Sequence, residues 1–176
     1  GNTAQSSAVV AVVAYYPPTD VLSLGPDFAL TPPNLPGLVS IVDGPNQPHA
    51  NLIGFGSPGE GIGVLRANAN NPNPPWPDLL ARARSASPLF WVDATDPPIF
   101  LLHGSADTVV PVHQSRRLRD ALQGLGLPHQ YREISGLGHV PPGASANAEA
   151  RGWVRDQLRP EVVFSNGFEA GSARLR

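Results

Sequence analysis

Residues 97–139 read PPIFLLHGSADTVVPVHQSRRLRDALQGLGLPHQYREISGLGH, and the fold is decided there. The uninterrupted apolar run Ile99-Phe100-Leu101-Leu102, ending in His103, is bounded by Pro97-Pro98 and Gly104. Such a run predicts a strand covered on both faces. Residues 114–123 follow with Leu118, Ala121, Leu122 and, just beyond, Leu125 at helical spacing. Arg116, Arg117, Arg119 and Asp120 fall on the other side, so an amphipathic helix with its charges in water is predicted, closed by Gly124. A second strand is expected at residues 130–134, leading into Gly136-Leu137-Gly138-His139. Strand, helix and strand in this rhythm imply a right-handed crossover and a parallel sheet.

Working outward, residues 8–16 (AVVAVVAYY) form another β-branched apolar run stopped by Pro17-Pro18, which predicts a further buried parallel strand. From residue 19 to about residue 73, Pro, Gly and Asn interrupt every apolar group, and an irregular excursion with no more than a turn or two of helix is expected. Residues 78–86 predict a short helix capped by Asp78 and ended at Ser87-Pro88, and residues 146–158 a final helix carrying Trp153 and Val154. The chain thus reads as one domain over residues 1–159, with residues 160–176 a mobile extension too poor in apolar groups to join a core.

Composition narrows the function classes. A net charge of -2 with no basic block argues against nucleic acid and anionic membrane as partners, since both need a concentrated positive field. All 12 basic residues are arginine, scattered along the chain. The absence of cysteine excludes a thiolate nucleophile and any Cys-ligated metal. No apolar run approaches the ~18 residues needed to span a bilayer. His49, His103, His113 and His129 make no metal-ligand spacing with a carboxylate or with one another, so no metal is expected. Gly54-Phe55-Gly56-Ser57-Pro58-Gly59 matches G-x-G-x-x-G literally, but no buried strand precedes it and Pro58 interrupts it, so no dinucleotide and no other cofactor is expected.

In an open parallel sheet, functional groups gather at the C-terminal ends of the strands. Asp107 lies just past the strand ending at His103, and His139 just past the one ending at Ile134. A carboxylate that holds a neutral imidazole in one tautomer lets the ring take a proton from a hydroxyl and stabilises the imidazolium that forms. Taken singly, Asp107 reads first as a cap of the next helix and His139 as an ordinary loop residue. His103 is expected to be structural, packing beneath the acid loop.

The longer words carry a resemblance. Residues 87–140, SPLFWVDATDPPIFLLHGSADTVVPVHQSRRLRDALQGLGLPHQYREISGLGHV, strongly resemble the C-terminal segment of α/β-hydrolases, most closely esterases and lipases of the feruloyl and acetylxylan esterase-like group. Residues 8–24 (AVVAVVAYYPPTDVLSL) resemble that group's sixth strand and following loop, and ANLIGFG and SASPLF fit its intervening excursion. The resemblance implies an α/β fold made of strands six to eight with their crossover helices. It implies Asp107 as the triad acid, His139 as the triad histidine, and a small-molecule or carbohydrate-linked ester as substrate.

The resemblance also implies a serine in a G-x-S-x-G word before the acid. No serine here sits in one: Ser57 follows Phe55, Ser105 follows His103 at the same offset, and Ser145 in GASAN has Asn147 where glycine belongs. The nucleophile elbow and both oxyanion donors are therefore expected upstream of Gly1, leaving this chain inactive alone and the edge of its first strand open to self-association. Two other readings stand beside the esterase: a fragment of a prolyl-oligopeptidase-like serine peptidase, and a non-catalytic remnant or binding module. Related esterases are often exported, and the ending VFSNGFE is similar to short C-terminal words of secreted bacterial proteins, so an extracellular or periplasmic location is expected.

Overall fold

The computed structural model describes residues 8–30 and 34–158; the extension expected at residues 160–176 lies outside them. Three parallel strands, β1 (Val12–Tyr15), β2 (Ile99–Gly104) and β3 (His129–Ile134), form a sheet in the order β1-β2-β3. Val12 to Tyr15 run beside Ile99 to Leu102, and Ile99 to Gly104 beside His129 to Ile134. The strand-end loops that carry the two candidate residues are thus neighbours.

The central strand explains its own apolar run. Phe100 and Leu102 face the helix α7 (Gly143–Gln157), packing with Ala146, Ala150 and Trp153. Leu101 faces the helix α6 (His113–Gly124), packing with Leu118 and Leu122. Successive side chains on a strand point to opposite faces, so a strand with a helix on each side must be apolar at every position. Burying a leucine fully is worth about 1.5–3 kcal/mol, and Leu101, Leu102 and Leu122 are all at 1% exposure or less. The first strand is shorter and less covered than its sequence predicts. Val9 and Val10 lie outside it and are exposed, its own residues are only partly buried, and among the described residues it pairs with β2 alone.

The excursion, expected to hold no more than a turn or two of helix at a time, carries α1 (Leu24–Leu30), α2 (Pro36–Val42), α3 (Pro48–Leu52) and α4 (Ile62–Ala67), and the helix expected at residues 78–86 follows it as α5 (Trp76–Ser85). Prolines read as breakers instead open helices. Pro36 and Pro48 each occupy the first helical position, where the missing N–H has no intrahelical partner to lose. Helices this short do not complete enough turns to show a period and are marginal by themselves. Among them α3, α4 and α5 persist because Ala50, Ile53, Ile62, Leu65, Leu79 and Ala83 pack into a second apolar cluster. Asp78 is not the cap of α5: the helix starts at Trp76, ahead of it, and Asp78 lies in the first turn.

Two further expectations change at α6. Gly124 belongs to the helix, and the chain turns at Gly126, whose φ of 67° is left-handed, which leaves Leu125 exposed. Nor do all the arginines face water. Arg116 pairs with Glu133 of β3, and Arg117 reaches the buried carboxylate of Asp27 in α1. Gln114 completes that tie, donating to Asp27 Oδ2 at 2.8 Å and accepting the backbone N–H groups of Thr19 and Asp20 at 2.8 Å each. The excursion is thereby pinned to the helix that follows the acid loop.

Candidate active site

The site is built where β2 and β3 end. Their ladder continues into the loops, with the Ser105 N–H donating to Ile134 O and the Ala106 N–H to Leu137 O, each at 2.9 Å. Ser105 Oγ accepts the Gly136 N–H at 2.9 Å. The loops approach so closely that a Cβ on Gly104 would stand 2.2 Å from Leu137 O. Glycine is required there because the obstacle is backbone, which cannot swing aside.

Asp107 is wholly buried, and its two oxygens have separate tasks. Oδ1 accepts the Val109 and Val110 N–H groups at 2.8 and 2.9 Å, bracing the acid loop. Oδ2 lies 2.8 Å from His139 Nδ1. Asp107 does not cap α6, whose N-cap is Val112 without a side-chain bond. Burial alone would push the Asp107 carboxyl up. Hydrogen bonds from His103, from the Val110 and Val109 amides and from His139 outweigh it and hold the group below the ordinary aspartate value. An ionised Asp107 makes His139 Nδ1 the protonated nitrogen and leaves Nε2 as a basic lone pair. The His139 side chain is 33% exposed, against 0% for Asp107.

His103 lies at 1% exposure beneath this pair, as expected of a structural residue. Its Nε2 donates to Val110 O at 2.9 Å and lies 3.5 Å from Asp107 Oδ2, while Nδ1 accepts from the buried hydroxyl of Ser115 at 2.7 Å. Ser115 was not legible as part of the site, since a serine on the first turn of a helix carries no pattern of its own. Nor was Tyr16. Its ring centroid is 4.5 Å from that of His139 and 6.2 Å from that of His103. Its φ of 40° is left-handed, a conformation that costs a non-glycine residue on the order of 1–3 kcal/mol.

The remaining histidines lie elsewhere. His49 is in α3 and His129 opens β3, where loops were expected, and each bonds a nearby carbonyl, Val42 O and Leu127 O, at 2.8 Å. His113 opens α6; burial and the charge of Arg116 push its pKa down. Among the described residues, no three His, Asp or Glu side chains are grouped to hold a metal ion. The glycine-rich stretch from Gly54 joins α3 to α4 and follows a helix, so it lacks the strand that a dinucleotide fingerprint needs.

Comparisons with known proteins agree with this architecture. Residues 75–122, which include β2, Asp107 and most of α6, match the BD-FAE family model. A stretch of 57 residues is 39% identical to Esterase LipC of Mycobacterium tuberculosis, covering 32% of this chain and 14% of that protein. The fold superposes on a truncated carbohydrate esterase from gut microbiota with a TM-score of 0.60 and 25% identity, over 88% of this chain and 44% of the other. It also superposes on a bifunctional GH43-CE protein of Bacteroides eggerthii with a TM-score of 0.61 and 25% identity, over 89% of this chain and 18% of the other. The chain therefore spans less than half the length of each of these relatives.

Proposed function

We propose that this chain, an esterase-like α/β-hydrolase domain in part, supplies the acid and the histidine of a serine carboxylic-ester hydrolase. The observation that carries the reading is the 2.8 Å contact between a buried Asp107 and a partly exposed His139 at the C-terminal edge of a parallel sheet. In this reading His139 Nε2 takes the proton of a serine hydroxyl as its oxygen attacks the ester carbonyl, and Asp107 stabilises the imidazolium that results. The imidazolium then gives its proton to the departing alcohol, leaving an acyl-serine. Water, deprotonated by the same nitrogen, attacks the acyl carbon, and the serine oxygen leaves with that proton as the acid is released.

The serine and the oxyanion donors belong, in this proposal, to chain that this sequence does not include. No serine here stands in G-x-S-x-G. The side of β1 that pairs with no strand among the described residues supports the same reading. Beside it Val13, Tyr15, Ala150, Val154 and Leu158, with Arg151 and Arg155, line a mainly apolar groove of about 340 Å³. A buried parallel strand has a partner on each side, so this edge suits another strand of the same sheet. In isolation the edge would pair with a second copy, and a monomer at all concentrations in sedimentation would remove that part of the proposal. A carbohydrate-linked ester is the proposed substrate class, in keeping with the carbohydrate esterase among the similar structures.

Hydrolysis of a short p-nitrophenyl ester tests the whole. The 176-residue chain should turn over no faster than its His139→Ala variant. A longer chain read from the upstream coding sequence and carrying a G-x-S-x-G word should be active, and His139→Ala in it should lower kcat by about 10³-fold or more. Activity of the short chain that His139→Ala abolishes would overturn the claim that it is incomplete.

A further inference from the structure

Tyr16 is the residue of the site that the reading above leaves without a task. It directly follows β1, and its N–H donates to Leu102 O at 2.8 Å, so its backbone is still held by the ladder to β2. Tyr15 is level with Leu102, which puts Tyr16 level with His103 at the C-terminal edge of the sheet. There the chain turns with φ at 40°, ahead of Pro17. A residue before proline is ordinarily held to extended conformations, and an aromatic side chain is among the least suited to the left-handed region. Glycine or asparagine would meet the same turn without that strain. The turn therefore does not explain the tyrosine.

What the turn achieves is the placement of the ring. Its centroid comes to 4.5 Å from the His139 ring at 50° and to 6.2 Å from the His103 ring at 81°. It stands against the imidazole that bonds Asp107 and edge-on to the imidazole beneath Asp107. His139 has only one hydrogen bond among the described contacts, from Nδ1, and sits on a loop of glycines, Gly136 and Gly138. The covalent tether at Cβ and the Nδ1 bond hold two points of the ring and leave its tilt about the line between them to its neighbours, of which the Tyr16 ring at 4.5 Å is one. The π face also favours a positive charge on the imidazole, the state His139 would pass through in catalysis.

We propose that Tyr16 is a positioning residue for His139, held in a strained backbone conformation so that its ring fixes the plane of the imidazole and keeps Nε2 aimed out of the loop. The proposal rests on the Asp107 and His139 pairing but not on esterase activity, and it can be tested on the chain itself. It predicts that the aromatic ring matters and the hydroxyl does not.

Tyr16→Phe, Tyr16→Leu and Tyr16→Gly separate these contributions, since leucine keeps bulk without a π face and glycine relieves the backbone. The readouts are the side-chain ¹⁵N signature of His139 and the rate at which diethyl pyrocarbonate modifies it, mapped by mass spectrometry. Amide shifts of β2 and β3 report that the fold is kept. Wild type and Tyr16→Phe should show a single Nδ1–H tautomer and the same slow modification. Tyr16→Leu and Tyr16→Gly should show averaged nitrogen shifts and modification faster by roughly twofold to fivefold, the size of an aromatic contact to an exposed cation. An unchanged His139 signature in the leucine and glycine variants would overturn the proposal, as would a phenylalanine variant that behaves like leucine. A wild-type His139 lacking the Nδ1–H tautomer would overturn the pairing with Asp107 itself, a different failure from the first two.

Discussion

Asp27 and Asp107 are both wholly buried carboxylates, each bonded to a residue distant in the chain, and they are built for different ends. Asp27 accepts from the Arg117 guanidinium through Nε and Nη2 and from Gln114 Nε2. An arginine cannot give up its charge in a protein, so Arg117 has no proton to exchange and the pair serves to clamp α1 onto α6. Asp107 instead meets two backbone amides, the imidazole of His139 and, at 3.5 Å, that of His103. An imidazole can gain and lose a proton within the ordinary pH range, so the second pair can do chemistry while the first can only hold. Burial alone does not distinguish a structural acid from a reactive one; the partner's proton does.

Three substitutions would break or sharpen this contrast. The largest effect is expected from Asp27→Ala, which leaves Arg117 and Gln114 facing a vacated, buried position. It should lower stability in urea unfolding by about 3 kcal/mol, discounted from a fully buried pair because the Arg117 side chain is 39% exposed. A loss below about 0.5 kcal/mol would mean that Asp27 is no clamp.

Gly104→Ala should come next, at about 2 kcal/mol, because the new Cβ meets the backbone of Leu137 and Gly138. Its distinguishing mark is local. The loop of His139 must move, so the nuclear magnetic resonance signals of His139 should shift far more than those of residues around Asp27.

The smallest change at neutral pH is expected from Asp107→Asn, on the order of 1 kcal/mol. Its signature is the pH dependence. The folded Asp107 carboxyl is held below its ordinary value, so the folded state binds fewer protons than the unfolded one as acid is added. Its contribution is therefore fully present above about pH 4 and lost as pH falls through the lower, folded value. Between pH 5 and pH 3 the wild-type urea midpoint should fall more steeply than that of Asp107→Asn. Parallel curves would show that the carboxylate is not held ionised by its neighbours.

Legibility followed the range of the interactions. The apolar run Phe100-Leu101-Leu102, the spacing of Leu118 and Leu122, and the order of acid before histidine are local patterns, and the strands, the helix and the neighbouring loops came out where those patterns put them. The His103-Gly104 pair is readable in hindsight, since a glycine ending a buried strand signals a close backbone approach. The helices between Leu24 and Ala67 escaped because each is too short for its period to repeat, and proline looks the same in sequence whether it stops a helix or starts one.

By itself, then, the sequence determined a parallel α/β arrangement and placed Asp107 and His139 on adjacent loops, because an unbroken apolar run and a helical repeat are written in consecutive positions. Only the tertiary structure decided that Gln114 and Arg117 close on Asp27, that Ser115 and His103 stand beneath Asp107, and that Tyr16 lies against His139. Those contacts join residues with no common period, and their partners are chosen by the packing of whole helices against the sheet. A hydrogen bond between distant residues leaves no mark in either one's neighbourhood, so it becomes visible only once the chain has brought them together.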